Sequence, residues 1–152
     1  MDKKDIMFLA HLRNNARETL TKISKKTHIP ISTLYDRLKL HEGDIITKHT
    51  TLIDFAKLGY LCKANITIKV DIEDRDAVRA YLLCQNNVNS LFKINNGYDF
   101  LIEGVFKHVK EMEDFMETFE KKYRVLEKNV YYIIEDLKRE SFMAETENVS
   151  VV

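Results

Sequence analysis

The dipeptide Asn96-Gly97 constrains this chain more than any other feature, because it sits between two apolar, strand-like runs. Both residue types tolerate positive φ, which a tight hairpin demands at its central positions. Val88, Leu91, Phe92 and Ile94 form the run before it; Tyr98, Phe100, Ile102 and Phe106 share one face of the run after it. Upstream, Ala64, Ile66, Ile68 and Val70 alternate with Lys63, Asn65, Thr67 and Lys69, the period of a half-buried strand. The acidic stretch from Asp71 to Asp76 opens a helix that carries Val78 and Leu82 on its apolar stripe. Val109, Met112, Phe115, Phe119 and Tyr123 mark a second amphipathic helix. Val130-Tyr131-Tyr132-Ile133-Ile134 then reads as a final strand, apolar on both faces.

Strand, helix, hairpin, helix, strand is the ferredoxin-like βαββαβ order, in which two helices cover one face of the sheet. A last strand with apolar residues on both sides implies that the other face is covered as well. A second copy of the chain is the economical cover, so a homodimer is expected.

Residues ahead of this module follow a different period. Asp2 is placed to cap a first helix bearing Ile6, Leu9 and Leu12. Thr19 caps a short second helix with Leu20, Ile23 and Ser24, ending near Thr27. His28-Ile29-Pro30 makes a turn into a third helix, with Ile31, Leu34 and Leu38 facing inward. Helix, tight turn, helix is the arrangement that lays its second helix in the DNA major groove. The outward face would present Ser32, Thr33, Tyr35, Asp36, Arg37 and Lys39. Arg37 suits a guanine edge or a phosphate, Lys39 a phosphate, and the hydroxyls either. His28 stands where glycine would be easier, since the turn needs positive φ. Pro30 replaces a capping hydroxyl but suits a helix start. Beyond Glu42-Gly43-Asp44, residues 45–53 read as extended, forming either a small wing with Lys48 and His49 near the DNA backbone or a plain connecting strand. Phe55-Ala56-Lys57-Leu58 makes one helical turn ended by Gly59.

The chain is expected to be α+β, a winged helix-turn-helix over residues 1–60 joined to a ferredoxin-like domain over 61–140, with a mobile tail over 141–152. Net charge is zero, yet residues 1–60 hold 11 Lys/Arg against 7 Asp/Glu, and residues 61–152 hold 13 against 17. A basic head on an acidic body suits a nucleic-acid reader attached to a protein-binding module. No apolar run approaches the roughly 20 residues of a membrane helix, and residues 1–5 lack a signal core, so a cytoplasmic protein with no membrane partner is expected. Cys62 and Cys84 have no CxxC spacing and indicate neither disulfide framework nor metal site. His11, His28, His41, His49 and His108 include no metal-spaced pair, and no phosphate-binding glycine loop or nucleophile–base set is present. Surface or turn positions are expected for most of them, and no cofactor is expected.

Taken in order, Asp5-Ile6 with Leu9 and Leu12, Arg17-Glu18-Thr19 before Ile23-Ser24-Lys25-Lys26, Thr51-Leu52-Ile53-Asp54 with Leu58-Gly59-Tyr60, and Asn96-Gly97-Tyr98-Asp99-Phe100 resemble the leucine-responsive and asparagine-regulator (Lrp/AsnC) family of transcription regulators. The resemblance covers roughly residues 2–140. It implies a dimer that binds double-stranded DNA, higher assemblies such as octamers, and a small-molecule effector such as an amino acid. The DNA-binding set it suggests, together with the helix reading, is Thr19, Lys25, Ser32, Thr33, Tyr35, Arg37, Lys39 and Lys48. The effector neighbourhood is Asn95, Asn96, Gly97, Tyr98 and Asp99; read bare, Asn96-Gly97 closes a hairpin while Tyr98 packs and Asp99 caps or pairs. Asn96 and His28 replace two of the family's glycines. Two other functions stand beside the regulator: a sensing or scaffold protein whose head no longer binds DNA, favoured by Asp36, and a relative of the similar haem-pathway decarboxylases.

Overall fold

A computed structural model, described over residues 1–146, divides into two compact units, one of residues 1–52 with residues 137–146, the other of residues 53–136. The first unit holds α1 (Lys3–Asn14), α2 (Leu20–Thr27) and α3 (Ile31–His41). Asp2 and Asp5 close a reciprocal cap on α1: the Asp5 N–H donates to Asp2 at 2.8 Å and the Asp2 N–H to Asp5 at 2.9 Å. Thr19 accepts from the Lys22 N–H at the start of α2. His28 adopts φ 58°, and its N–H donates to the Ser24 carbonyl, which ends α2. This is the left-handed turn expected there, held without glycine.

Phe8, Ile23, Ile29 and Leu34 form the core of this unit, ringed by Leu12, Leu20 and Leu38. Ile31 corrects the expected pattern, being 47% exposed. Pro30 occupies the cap and Ile31 is the first helical residue, so Ile29, from the turn itself, points inward instead. Phe8, fully buried, was not on the expected stripe of α1; it shares a face with Leu12 one turn on, while Ile6 is only half-buried. After α3 the chain makes a tight turn through Gly43 (φ 82°), closed by a bridge between Glu42 and Ile46. Residues 47–54 have no regular structure, so the run expected to be extended forms neither wing strand nor connecting strand. Residues 147–152 of the expected mobile tail lie outside the described part. Just before them, Arg13 donates to the carbonyls of Glu140 and Phe142, both at 3.1 Å.

The second unit begins with a helical turn at Phe55–Leu58, stopped by Gly59 at φ 90°. It then builds β1 (Cys62–Val70), α4 (Arg75–Leu83), β2 (Val88–Lys93), β3 (Phe100–Phe106), α5 (Val109–Lys122) and β4 (Val125–Tyr132). The four strands are antiparallel in the order β2-β3-β1-β4. Inward residues of β1 and β3 pack with Val78 and Leu82 of α4 and with Met112, Met116 and Phe119 of α5. Gly104 has a packing reason: a methyl there would lie 2.5 Å from the buried Phe106 ring.

β4 differs from its expected span. It starts at Val125 and ends at Tyr132, leaving Ile133 and Ile134 beyond the strand. Leu126, Glu127 and Lys128 break the apolar pattern that would have announced its first half, and cross-strand bonds to β1 define it instead. The face opposite the helices is mixed. It carries Thr67, Glu103 and Asn129, but also Leu101, Val105, Tyr131 and Phe92.

Candidate nucleic-acid interface and small-molecule site

α3 buries Leu34 and His41 and turns Ser32, Tyr35, Asp36 and Lys39 to solvent. Thr33 is half-buried at the side. The Lys39 ammonium sits over the Tyr35 ring, 5.5 Å from its centroid, so two members of the expected set are coupled. Lys25 and Lys48 are exposed and, with Lys22, enter no ion pair among the described residues. Thr19 is exposed too, with its hydroxyl oxygen engaged in capping α2.

Arg37 is elsewhere. Its guanidinium folds back onto α1, donating to both oxygens of Asp2 at 3.0 and 2.9 Å and to Asp5. A guanidinium spent on two carboxylates is not available to a guanine, which removes the strongest base reader from the expected face. His41, one turn on, places its Nε2 3.0 Å from the same Asp5 oxygen. Burial pushes the Asp5 carboxyl up, but hydrogen bonds from His41, from the Asp2 N–H and from Arg37 outweigh it and hold it well below its ordinary value. A second cluster repeats the theme. Glu18 accepts from Lys26 and lies 3.0 Å from the buried His11 Nδ1. Lys26, more than burial, sets the Glu18 carboxyl, which lies below its usual range. His11 and His41 are therefore buried partners of carboxylates, whereas His28, His49 and His108 are exposed, as expected for most of the five. The signal in sequence was only a carboxylate and a histidine, seven positions apart in one cluster and 36 in the other, which many chains contain.

In the sheet module the expected loop geometry is present: Asn96 and Gly97 have φ 63° and 85°, and the Ile94 N–H donates to the Asp99 carbonyl at 3.1 Å. Asn95, Asn96 and Gly97 are exposed at the tip. Asp99 turns inward, accepting from the Val70 N–H at 2.8 Å and from Arg75 Nε at 2.8 Å. Tyr98 accepts at its hydroxyl from the Asn129 side chain at 2.7 Å, and that amide also reaches Thr67 at 3.3 Å. Asn129 and Thr67 carried no sequence signal of this role. Beside Asp99, a cavity of about 380 Å³ is lined by Arg75, Asp76, Arg79, Leu83, Leu91, Lys93 and Phe100. Of the five expected effector residues only Asp99 reaches it. Cations, one free carboxylate and an apolar floor suit a small zwitterion better than a long apolar ligand. No group of three His, Cys, Asp or Glu residues that could hold a metal exists among the described residues. Nor is any described helix long and apolar enough to cross a membrane.

No family model matches the chain. Its sequence is 29% identical over 118 residues to the HTH-type transcriptional regulator FL11 of Pyrococcus horikoshii, covering 77% of this chain and 78% of that protein. An uncharacterized HTH-type transcriptional regulator of Pyrococcus furiosus is 23% identical and covers 92% of this chain and 95% of its own length. Among solved structures, an AsnC-family transcriptional regulator from Agrobacterium tumefaciens superposes with TM-score 0.81 at 17% identity, covering 91% of this chain and 94% of that one. A transcriptional regulator from Neisseria meningitidis, solved as an L-Met complex, superposes with TM-score 0.83 at 21% identity, covering 91% and 93%. These relatives are regulators, and the decarboxylase alternative is set aside. The chain thus has the fold of the AsnC-type regulators and a sequence similar to archaeal HTH-type transcriptional regulators.

Proposed function

We propose that this chain is a DNA-binding transcription regulator that acts in the cytoplasm as a homodimer, two heads addressing one duplex site. The observation that carries the reading is α3 itself: it follows a left-handed turn at His28 and offers Ser32, Tyr35, Asp36 and Lys39 to solvent, with Lys22, Lys25 and Lys48 in the same unit entering no ion pair among the described residues. Attraction to phosphates supplies most of the affinity in such a system and weakens with salt. Replacing Lys25 and Lys39 by alanine together is expected to weaken binding to every duplex and to lower the salt slope by about one to two. Fluorescence anisotropy on a random-sequence duplex measures both. Unchanged affinity and slope would take these lysines off the interface.

The dimer is supported by the apolar content of the free sheet face, where Phe92 is 48% and Tyr131 57% exposed beside Leu101 and Val105. Phe92→Glu places a charge there and is expected to turn a dimer into a monomer in light scattering without loss of helical or sheet signal. A dimer that survives the change argues for another interface. For an effector, the cavity beside Asp99 supports an amino acid: Arg79 and Lys93 suit its carboxylate, Asp76 its ammonium, and Leu83, Leu91 and Phe100 its side chain. The L-Met complex of the Neisseria regulator lends the same fold an amino-acid ligand.

A further inference from the structure

We propose that Asp36 sets sequence preference by accepting a hydrogen bond from the exocyclic amino group of a cytosine in each half-site; this rests on the DNA-reading function proposed above. Ser32, Asp36 and Lys39 recur at spacings of four and three along α3, directly opposite buried Leu34 and His41, so Asp36 lies mid-stripe on the solvent side. Its carboxylate enters no ion pair among the described residues. The neighbours that might have neutralised it are committed elsewhere: Arg37 to Asp2 and Asp5, Lys39 over the Tyr35 ring. A lone anion is thus carried on the face that must approach a polyanion.

That charge restricts where α3 can bring Asp36. Facing a phosphate, it would repel. Facing base edges in the major groove, it meets acceptors on guanine (N7 and O6) and thymine (O4), which also repel it. Only the amino groups of cytosine and adenine donate there, and adenine places its N7 acceptor alongside. Cytosine N4 is the one donor without an adjacent acceptor on its own base. Asp36 is also the only carboxylate of α3, and with Arg37 folded onto α1 no guanidinium on that face competes for the base edge. A side chain that rejects three bases more than it attracts the fourth discriminates strongly while adding little affinity.

Selection of bound duplexes from a random library tests this on three full-length proteins: the natural chain, Asp36→Asn and Asp36→Ala. Asp36 is exposed, so all three should melt alike. The natural chain is expected to enrich a motif with cytosine at one position of each half-site. Asparagine, which pairs bidentately with adenine, is expected to move that single position to adenine and to lose about ten-fold affinity for the natural motif. Alanine is expected to level the position while raising affinity for unrelated duplex. If the natural chain enriches a motif that Asp36→Asn leaves unchanged, the assignment of Asp36 is overturned and the regulator reading stands. If the natural chain enriches nothing, both fall together.

Discussion

Asp5→Ala is expected to destabilise the helical unit by about 3 kcal/mol or more, the largest loss from any single change in that unit outside its apolar core. Asp5 is 7% exposed and receives Arg37, His41 and the Asp2 N–H. Removing it strands the buried His41 and leaves Arg37, itself largely shielded from water, with Asp2 alone, so the desolvation already suffered by both is less well offset. Arg37→Ala is milder, because Asp5 keeps His41 and the backbone N–H. Hydrogen exchange resolves the effect by region: amides of α1 to α3 should lose protection while those of β1 and β3 keep it. Equal exchange in the variant and the natural chain would show that the cluster is a bystander. The same carboxyl gives a pH signature. Its titration is depressed in the folded chain from an ordinary value of 3.8, so its contribution is complete above about pH 4 and is lost as pH falls through the folded value. Asp5→Asn should flatten that part of the acid-unfolding curve, and an unaltered curve would assign the acid sensitivity to other groups.

Asp99→Ala is the second large effect. The Val70 N–H, in a buried strand position, would lose its acceptor, and the loop of residues 94–99 would keep, as its attachment to β1, only the backbone bond from the Asp99 N–H to the Ile68 carbonyl at 2.8 Å. About 2 kcal/mol is expected, mostly the cost of an unpaired buried N–H. Asp99→Asn keeps an oxygen for Val70 and gives up only the ion pair with Arg75, whose side chain is 47% exposed; that pair is worth at most about 1 kcal/mol. Urea titration of the two variants separates the roles. If asparagine costs as much as alanine, charge rather than the backbone bond holds the loop. The carboxylate most suggestive of ligand binding in the sequence is thus first a structural clasp, and the cavity beside it draws its free charges from Arg79, Lys93 and Asp76.

What could be read from the chain alone is what local chemistry decides. Strict alternation over residues 63–70 produced the strand it announced; Asn96, Gly97, His28 and Gly59 took the positive φ their turns require; Asp2 and Thr19 capped the helices they precede. These features depend on neighbours within four residues. The errors share the opposite property. Arg37 looked like a DNA contact because nothing near it in sequence predicts partners on α1, 35 and 32 positions away. The first half of β4 was missed because Glu127 and Lys128 have no strand pattern of their own and are recruited by pairing with β1. The cavity joins α4 to β2 and β3, which no motif spans. Long-range polar contacts leave almost no periodic trace, so the fold was far more legible than the sites.

The most direct test is the mass of the complex formed with a selected duplex, by light scattering in dilute salt. One duplex carrying two chains is the predicted result. A single chain on the duplex, or no complex at all in that buffer, would contradict it.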